Sequence, residues 1–394
     1  MRIVITNASV DRGAAAARAL RLAGHEVYGV DSRSVSRWMV SRYLHGYGCI
    51  DRDDPLERQD AILRFIEQTR GDVFLPLCTP GAIMAVQRRS DLERMCRVNP
   101  PEADAFVAAF DKRLCMQECT ALAIPCAGSL SRDEAAAMLG GDGDRSILIK
   151  PATDIGAARG VRHVADVREL DEAIRLCVSQ YGSCVIQEYI PGGDDAMCMV
   201  TVVYSRSGQL LGAFTARKLR QWPASGGVTA YGLSTRDHEL LNLVRPFFDR
   251  LRWRGPAEVE LKHDPRDGIC KVLEINPRLP GYVRHASLCG VEMSTLAVEA
   301  ALGAEPLPGT GLSAYREGVA YIAPTVYAQS VLHDAVERGW GRALMQACSQ
   351  SIAAGPMLRS LLSDPLPVLT RSFVRMRPIV HHTLSAPPES ETLP

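Results

Sequence analysis

Glu274 and Asn276 are two residues apart in the apolar run Lys271-Val272-Leu273-Glu274-Ile275-Asn276. On a strand their side chains leave the same face. Glu260 sits in a second strand-like run, Ala257 to Lys262. The connection His263-Asp264-Pro265-Arg266-Asp267-Gly268 ends in Asp-Gly, a hairpin signal, so Glu260 is expected beside Glu274 and Asn276. Oxygen donors of this kind suit Mg²⁺, with Mn²⁺ as a substitute, because such ions keep several waters and bridge substrate phosphates. Arg278, two residues further on, would neutralise charge on a transferring phosphoryl group.

Other elements must carry these residues. Arg2 to Thr6 reads as a strand, Gly13 to Ala23 as an alanine-rich helix and Glu26 to Asp31 as a second strand, a β-α-β unit that favours a parallel sheet. Its first turn, Asn7-Ala8-Ser9-Val10-Asp11-Arg12-Gly13, lacks GxGxxG, so the unit is expected to be Rossmann-like without a bound dinucleotide. Pro100-Pro101 marks a boundary. Beyond it come the helix that Asp111-Lys112 opens and the strand Ser146 to Pro151, which carries Lys150. A loop with Gly156 and Gly160, the helix Val167 to Tyr181 and the strand Cys184 to Ile190 follow. Antiparallel strands interrupted by helices make this half α+β. From about Pro306 the chain reads as helical, and Val331 to Gly339 is amphipathic enough to cap a site or to form a homodimer contact. The Pro/Ser/Glu-rich end from 386 is expected to be disordered.

The chain has 394 residues, enough for several cores, with 46% hydrophobic and 23% charged residues. A net charge of zero gives no support for a nucleic-acid partner. No apolar run is long enough to span a bilayer, so no membrane partner is expected. Twelve cysteines lie scattered without a CxxC pair, which reads as reduced thiols in a cytoplasmic protein rather than a disulfide framework or a zinc site.

Taken in order, five pieces resemble the ATP-grasp superfamily: Asp111-Lys112, Leu148-Ile149-Lys150-Pro151 with its glycine loop, Gln187-Glu188-Tyr189-Ile190-Pro191-Gly192, Val259-Glu260-Leu261-Lys262 and Glu274-Ile275-Asn276-Pro277-Arg278. They look like stand-alone carboxylate–amine ligases similar to the carbamoyl-phosphate synthase large chain and to D-aspartate-type ligases, over residues 1 to 305. The resemblance implies a Rossmann-like pre-ATP-grasp domain at 1–105 and an ATP-grasp domain at 106–305, its small lobe 106–190 and its metal and substrate lobe 191–305. A helical segment, 306–394, would complete the chain.

The resemblance also implies roles. Lys112 and Lys150 would bind nucleotide phosphates, and the loop Thr153 to Gly160, with Gly156, would close over them. Gln187, Glu188, Tyr189 and Ile190 would form the hinge at the adenine edge, and Asp194 or Asp195 would take the ribose. Glu260, Glu274 and Asn276 would hold the metal. Arg278 would steady the transferring phosphate, and Arg217 and Arg220 would lie near the acidic substrate. The run after the motif, Leu279-Pro280-Gly281-Tyr282-Val283-Arg284, departs from many relatives, and Arg284 becomes a candidate for a substrate carboxylate. His285 reads instead as a satisfied structural histidine.

The implied reaction uses ATP to turn a carboxylate into an acyl-phosphate, which an amine attacks to give an amide, ADP and phosphate. The substrates would be small molecules. Rival readings are another ATP-grasp chemistry (carboxylation, or an acyl-phosphate kinase) and a nucleotide-binding regulatory protein without turnover. Single residues have plainer readings: Lys112 as a solvated lysine, Glu260 as one half of a strand ion pair with Lys262, Arg217 and Arg220 as charges on an edge strand.

Overall fold

The computed structural model describes residues 1–31, 40–141, 145–153, 159–223, 226–306 and 314–367. The strands form three sheets.

The first sheet is parallel throughout, in the order β3-β2-β1-β4, with β1 (Arg2–Thr6), β2 (Glu26–Asp31), β3 (Gly46–Cys49) and β4 (Val73–Leu75). The helix Asp11–Leu22 buries Ala14, Ala15, Ala16, Ala17, Ala19 and Leu20. Its alanines allow close packing, and Gly13 allows the entry turn. A Cβ at Gly13 would lie 2.3 Å from the Asn7 carbonyl oxygen and 2.5 Å from the Ala8 Cα, both backbone. This single glycine does the close-approach work that a glycine-rich turn would share. Gly13→Ala should therefore destabilise the fold by about 1–3 kcal/mol, read as a lower denaturation midpoint. An unchanged midpoint would refute the packing account.

The second sheet, in the order β5-β8-β6-β7, comprises β5 (Ser129–Leu130), β6 (Ile147–Pro151), β7 (Arg162–Val164) and β8 (Cys184–Glu188). The helix Val167–Tyr181 covers it with Leu170, Ala173 and Cys177. Asp166 caps that helix at one end, and Gly182, at φ 80°, ends it.

The third sheet is antiparallel, in the order β13-β12-β9-β10-β11-β14. Its members are β9 (Met197–Tyr204), β10 (Leu210–Trp222), β11 (Val228–Thr235), β12 (Gly255–Asp264), β13 (Ile269–Asn276) and β14 (Ala320–Ile322). One face carries Val200, Val202, Val259, Leu261 and Ile275, packed with Cys115, Phe247, Phe248 and Trp253 of neighbouring segments. The opposite face carries Met199, Phe214, Ala216 and Tyr231, packed with residues of the first sheet's helix and of the C-terminal helices. The polar site lies on this second face. The part after 306 adds an edge strand, β14, to the expected helices Pro324–Arg338, Trp340–Ala353 and Gly355–Leu362. Among the described residues no helix is long and apolar enough to cross a membrane. The tail from 386 and Gly156 lie outside the described residues.

Candidate active site

The hairpin β12–β13 forms as its turn residues suggest. Asp264 accepts hydrogen bonds from the Arg266 N–H (3.0 Å) and the Lys271 ammonium (2.6 Å), and Gly268 turns at φ +75°. The register sets Glu260 opposite Glu274 and Glu258 opposite Asn276. Because side chains alternate along a strand, Glu258 and Glu260 face the same way, over Thr201 and Met199 of β9.

Each carboxylate is matched by a cation from a different element. Glu260 lies 3.0 Å from the Lys218 ammonium, Glu274 lies 3.3 Å from Lys112, and Glu258 lies 3.5 Å from Arg278. Asn276 links two of these pairs: its amide N–H donates to Glu274 (3.3 Å) and its oxygen accepts from Arg278 (3.1 Å). Lys218 is 1% exposed and also donates to the Gly227 carbonyl at 3.2 Å. Its charge survives burial because Glu260, Glu258 and Glu274 hold the ammonium above its ordinary range. Glu258, itself 4% exposed, is pushed up to about 7, mainly by burial and then by Glu260.

Lys150 reaches the cluster from β6. It is buried and donates to the Gln187 side-chain oxygen at 2.6 Å, and Gln187, fully buried on β8, donates in turn to the Ala127 carbonyl. Burial lowers the Lys150 ammonium to about 8, with Glu274 opposing the shift and Lys112 adding to it. The Lys112 N–H bonds the Ala152 carbonyl at 2.8 Å, which fixes the two lysine-bearing segments side by side.

The remaining hinge residues are spread along the end of β8. Glu188 pairs with Arg266 at 2.7 Å, Ile190 is buried, and the Tyr189 ring lies under the Lys262 ammonium at 5.0 Å. Gly160 has φ +75°, and a Cβ there would strike the Tyr181 ring at 2.4 Å, so glycine is required for conformation and for space. Asp194 is half-buried and accepts the Gln221 N–H at 2.8 Å, whereas Asp195 is exposed on the short 3₁₀ turn Asp194–Ala196.

Several of the expected residues stand elsewhere. Arg217 is exposed on the other face of β10, where strand alternation sends it, and donates to the Asp195 carbonyl at 2.8 Å. Its neighbour Lys218 takes the place at the cluster. Arg220 is buried but pairs with Asp334 at 2.7 Å, bonds Ser330 and Gln346, and lies over the Tyr327 ring, so it anchors the C-terminal helices. Arg284 pairs with Asp11 at 2.7 Å, a structural tie to the first sheet's helix. His285 is a core histidine bonded to the Val319 carbonyl, lowered to about 4 by burial. Sequence reasoning passed over Lys218 and Glu258. The signal for both was present, since each sits two residues from a residue already singled out, on the same face.

The donors fit a hard divalent cation. Glu260 and Glu274 are part-exposed, at 23% and 27% of their side chains, and Asn276 adds an amide oxygen. Among the described residues no group of three His, Cys, Asp or Glu side chains could hold a metal. An open half-shell, completed by phosphate and water, is the arrangement Mg²⁺ prefers.

No family model matches the chain. It is 23% identical over 164 residues to the D-aspartate ligase of Enterococcus faecium (strain Aus0004). That match spans 39% of each chain, so the chain aligns with about two-fifths of that relative's length. The structure is similar to the biotin carboxylase domain of Hydrogenobacter thermophilus 2-oxoglutarate carboxylase, a dimer in complex with MgADP, ADP and bicarbonate. The TM-score is 0.62 at 15% identity, over 81% of this chain and 73% of that one. It is also similar to the L-amino acid ligase of Bacillus licheniformis, with a TM-score of 0.58 at 15% identity over 77% and 75% of the two chains. The fold is the ATP-grasp fold, a mixed α/β architecture of several sheets. Within it, the likeness in sequence runs to a ligase.

Proposed function

We propose that the chain is an ATP- and Mg²⁺-dependent carbon–nitrogen ligase, ADP-forming, that joins a carboxylate to an amine through an acyl-phosphate. The observation that carries this reading is the convergence of Lys112, Lys150, Lys218 and Arg278 on Glu258, Glu260 and Glu274. The cations outnumber the carboxylates, and they come from the second sheet, the third sheet and the helix Lys112–Ala121. Such a cluster suits a polyphosphate brought in with a metal ion.

In this scheme Lys112 and Lys150 hold nucleotide phosphates, Asp195 serves the ribose, and residues 187–190 meet the base. Glu260, Glu274 and Asn276 hold Mg²⁺, which when bound supplies charge neutralisation for phosphoryl transfer. Arg278 faces the transferring group. A carboxylate oxygen attacks the γ-phosphorus while the bond to the ADP oxygen breaks. The amine nitrogen then bonds to the carbonyl carbon, phosphate leaves with its oxygen, and the amine gives up a proton. None of these steps needs a nucleophilic side chain, so the cysteines keep their packing roles. We assign residues 1–105, 106–305 and 306–394 to the three units implied by the sequence. A homodimer is in keeping with the exposed Leu332, Val336, Trp340, Leu344 and Met345 of the C-terminal helices.

Carboxylation is the second reading, favoured by the bicarbonate in the Hydrogenobacter thermophilus domain. Phosphate release that needs bicarbonate but no amine would select it. Release that needs an amine selects the ligase.

The lowered Lys150 gives a pH test. The ammonium is the form that binds phosphate, and it is lost as pH rises through about 8 in the nucleotide-free protein. The kcat/KM for ATP should therefore fall above about pH 8, approaching roughly tenfold per pH unit. Stability moves the opposite way. Between about 8 and the ordinary lysine value the unfolded chain holds more protons, so this group makes folding more favourable as pH rises. Lys150→Arg, charged throughout, should flatten the activity profile. A limb that persists in that variant would assign the titration to another group.

A further inference from the structure

The helix Trp340–Ala353 runs for 14 residues, and Ala343 is the one residue it buries. Its inner side holds Ala343 and Gln346, whose side-chain oxygen accepts from Arg220 at 3.0 Å. Its outer side is apolar. Trp340, Leu344 and Ile352 are exposed, Ile352 to 80%, and Met345 is exposed to 71%. Cys348 is exposed as well. A helix of this length draws most of its stability from burying an apolar face, and here that face stands in water. The helix before it, Pro324–Arg338, exposes Leu332 and Val336. Apolar surface of this extent marks an interaction site.

The spacing selects the partner. Trp340, Leu344, Cys348 and Ile352 recur every four residues and form one ridge along the helix. The ridge is symmetric about the point between Leu344 and Cys348. A second copy laid antiparallel therefore sets Trp340 against the partner's Ile352 and Leu344 against the partner's Cys348, a larger side chain against a smaller one at each level. Arg342, the charged residue of this helix, decides the direction. Antiparallel, it stands level with the partner's Gln350, near the carbonyl end of that helix, where a cation is favoured. Parallel, the two Arg342 side chains would stand level with each other. A helix that lies on a lipid surface is richer in basic residues than this one.

We propose that the helix Trp340–Ala353 forms a twofold interface with a second copy of this chain, the two helices antiparallel and centred between Leu344 and Cys348. One patch then serves both copies. The proposal rests on the homodimer reading above and gives it a face and a register.

Two measurements on the full chain test it. Light scattering after size exclusion should give a dimer for the wild type. Leu344→Glu and Ile352→Glu should each raise the dimer dissociation constant roughly 100-fold or more. Both side chains are exposed in the protomer, so the circular dichroism spectrum should not change. Leu344→Glu combined with Cys348→Lys should restore the dimer, because these positions meet across the antiparallel seam. The second measurement is cross-linking. Cys49 and Cys348 are the exposed thiols. In a Cys49→Ser background, a thiol cross-linker spanning about 10 Å, set by four residues of rise and the spacing of packed helices, should join the copies. Adding Cys348→Ser should abolish the product. A monomeric wild type, alone or bound to anionic phospholipid vesicles, would overturn the proposal and the homodimer reading together. A dimer indifferent to both substitutions would overturn this face and leave the homodimer standing. A dimer sensitive to them but not cross-linked through Cys348 would overturn the antiparallel register.

Discussion

Glu274→Gln should lower turnover by roughly 10³-fold or more while leaving the fold in place. The side chain is 27% exposed and lies in the polar cluster, so its removal leaves no cavity in the apolar core. Glutamine keeps the volume and one oxygen but loses the charge. Two consequences follow. The metal loses one of its two proposed carboxylate ligands, and Lys112 loses the partner 3.3 Å away. The freed lysine would still meet phosphate, so MgATP affinity should weaken less than kcat. Thermal denaturation and steady-state kinetics on the same preparation check both halves. A variant with most of its activity would remove Glu274 from the metal site.

Arg278→Lys tests the other side of the reaction. Charge is conserved, but the planar fork is lost, and with it the geometry that serves Glu258, Asn276 and Thr79 together. If Arg278 steadies charge that develops during transfer, kcat should fall on the order of 100-fold while KM for ATP stays within about threefold. A rise in KM at constant kcat would make Arg278 a ground-state binding residue and would contradict its proposed place at the transferring group. Because Lys218, Arg12 and Arg278 all neighbour Glu258, the fold should tolerate this change better than Arg278→Ala.

Local patterns carried much of the architecture. β1, β2, β9 and the helix Val167–Tyr181 stand where strand alternation, helical periodicity and capping residues place them. The β12–β13 register could be read because Asp-Gly fixes the turn and the site residues lie at even spacing. β11 escaped notice: Val228 to Thr235 is interrupted by Gly232 and lacks a long apolar run, and its pairing with β10 is what makes it a strand. The helix His238–Arg250 holds a proline, Pro246, which blurs its pattern.

The site was less legible, for a physical reason. Motifs name residues on one strand, whereas electrostatic partners arrive from other elements. Arg217 and Arg220 were the visible basic residues of β10, but alternation and the C-terminal helices claim them, and the buried lysine between them meets Glu260. Arg12 lies hundreds of residues from Glu258, and only folding brings it near.

The central claim is that a carboxylate is activated by ATP and then captured by an amine. It is tested most directly by phosphate release from MgATP with paired libraries of acids and amines, the products identified by mass. The account predicts release that requires an acid and an amine together, with an amide formed in equal amount to phosphate. Release that proceeds with an acid alone and yields no amide, or with bicarbonate and no amine, would contradict it.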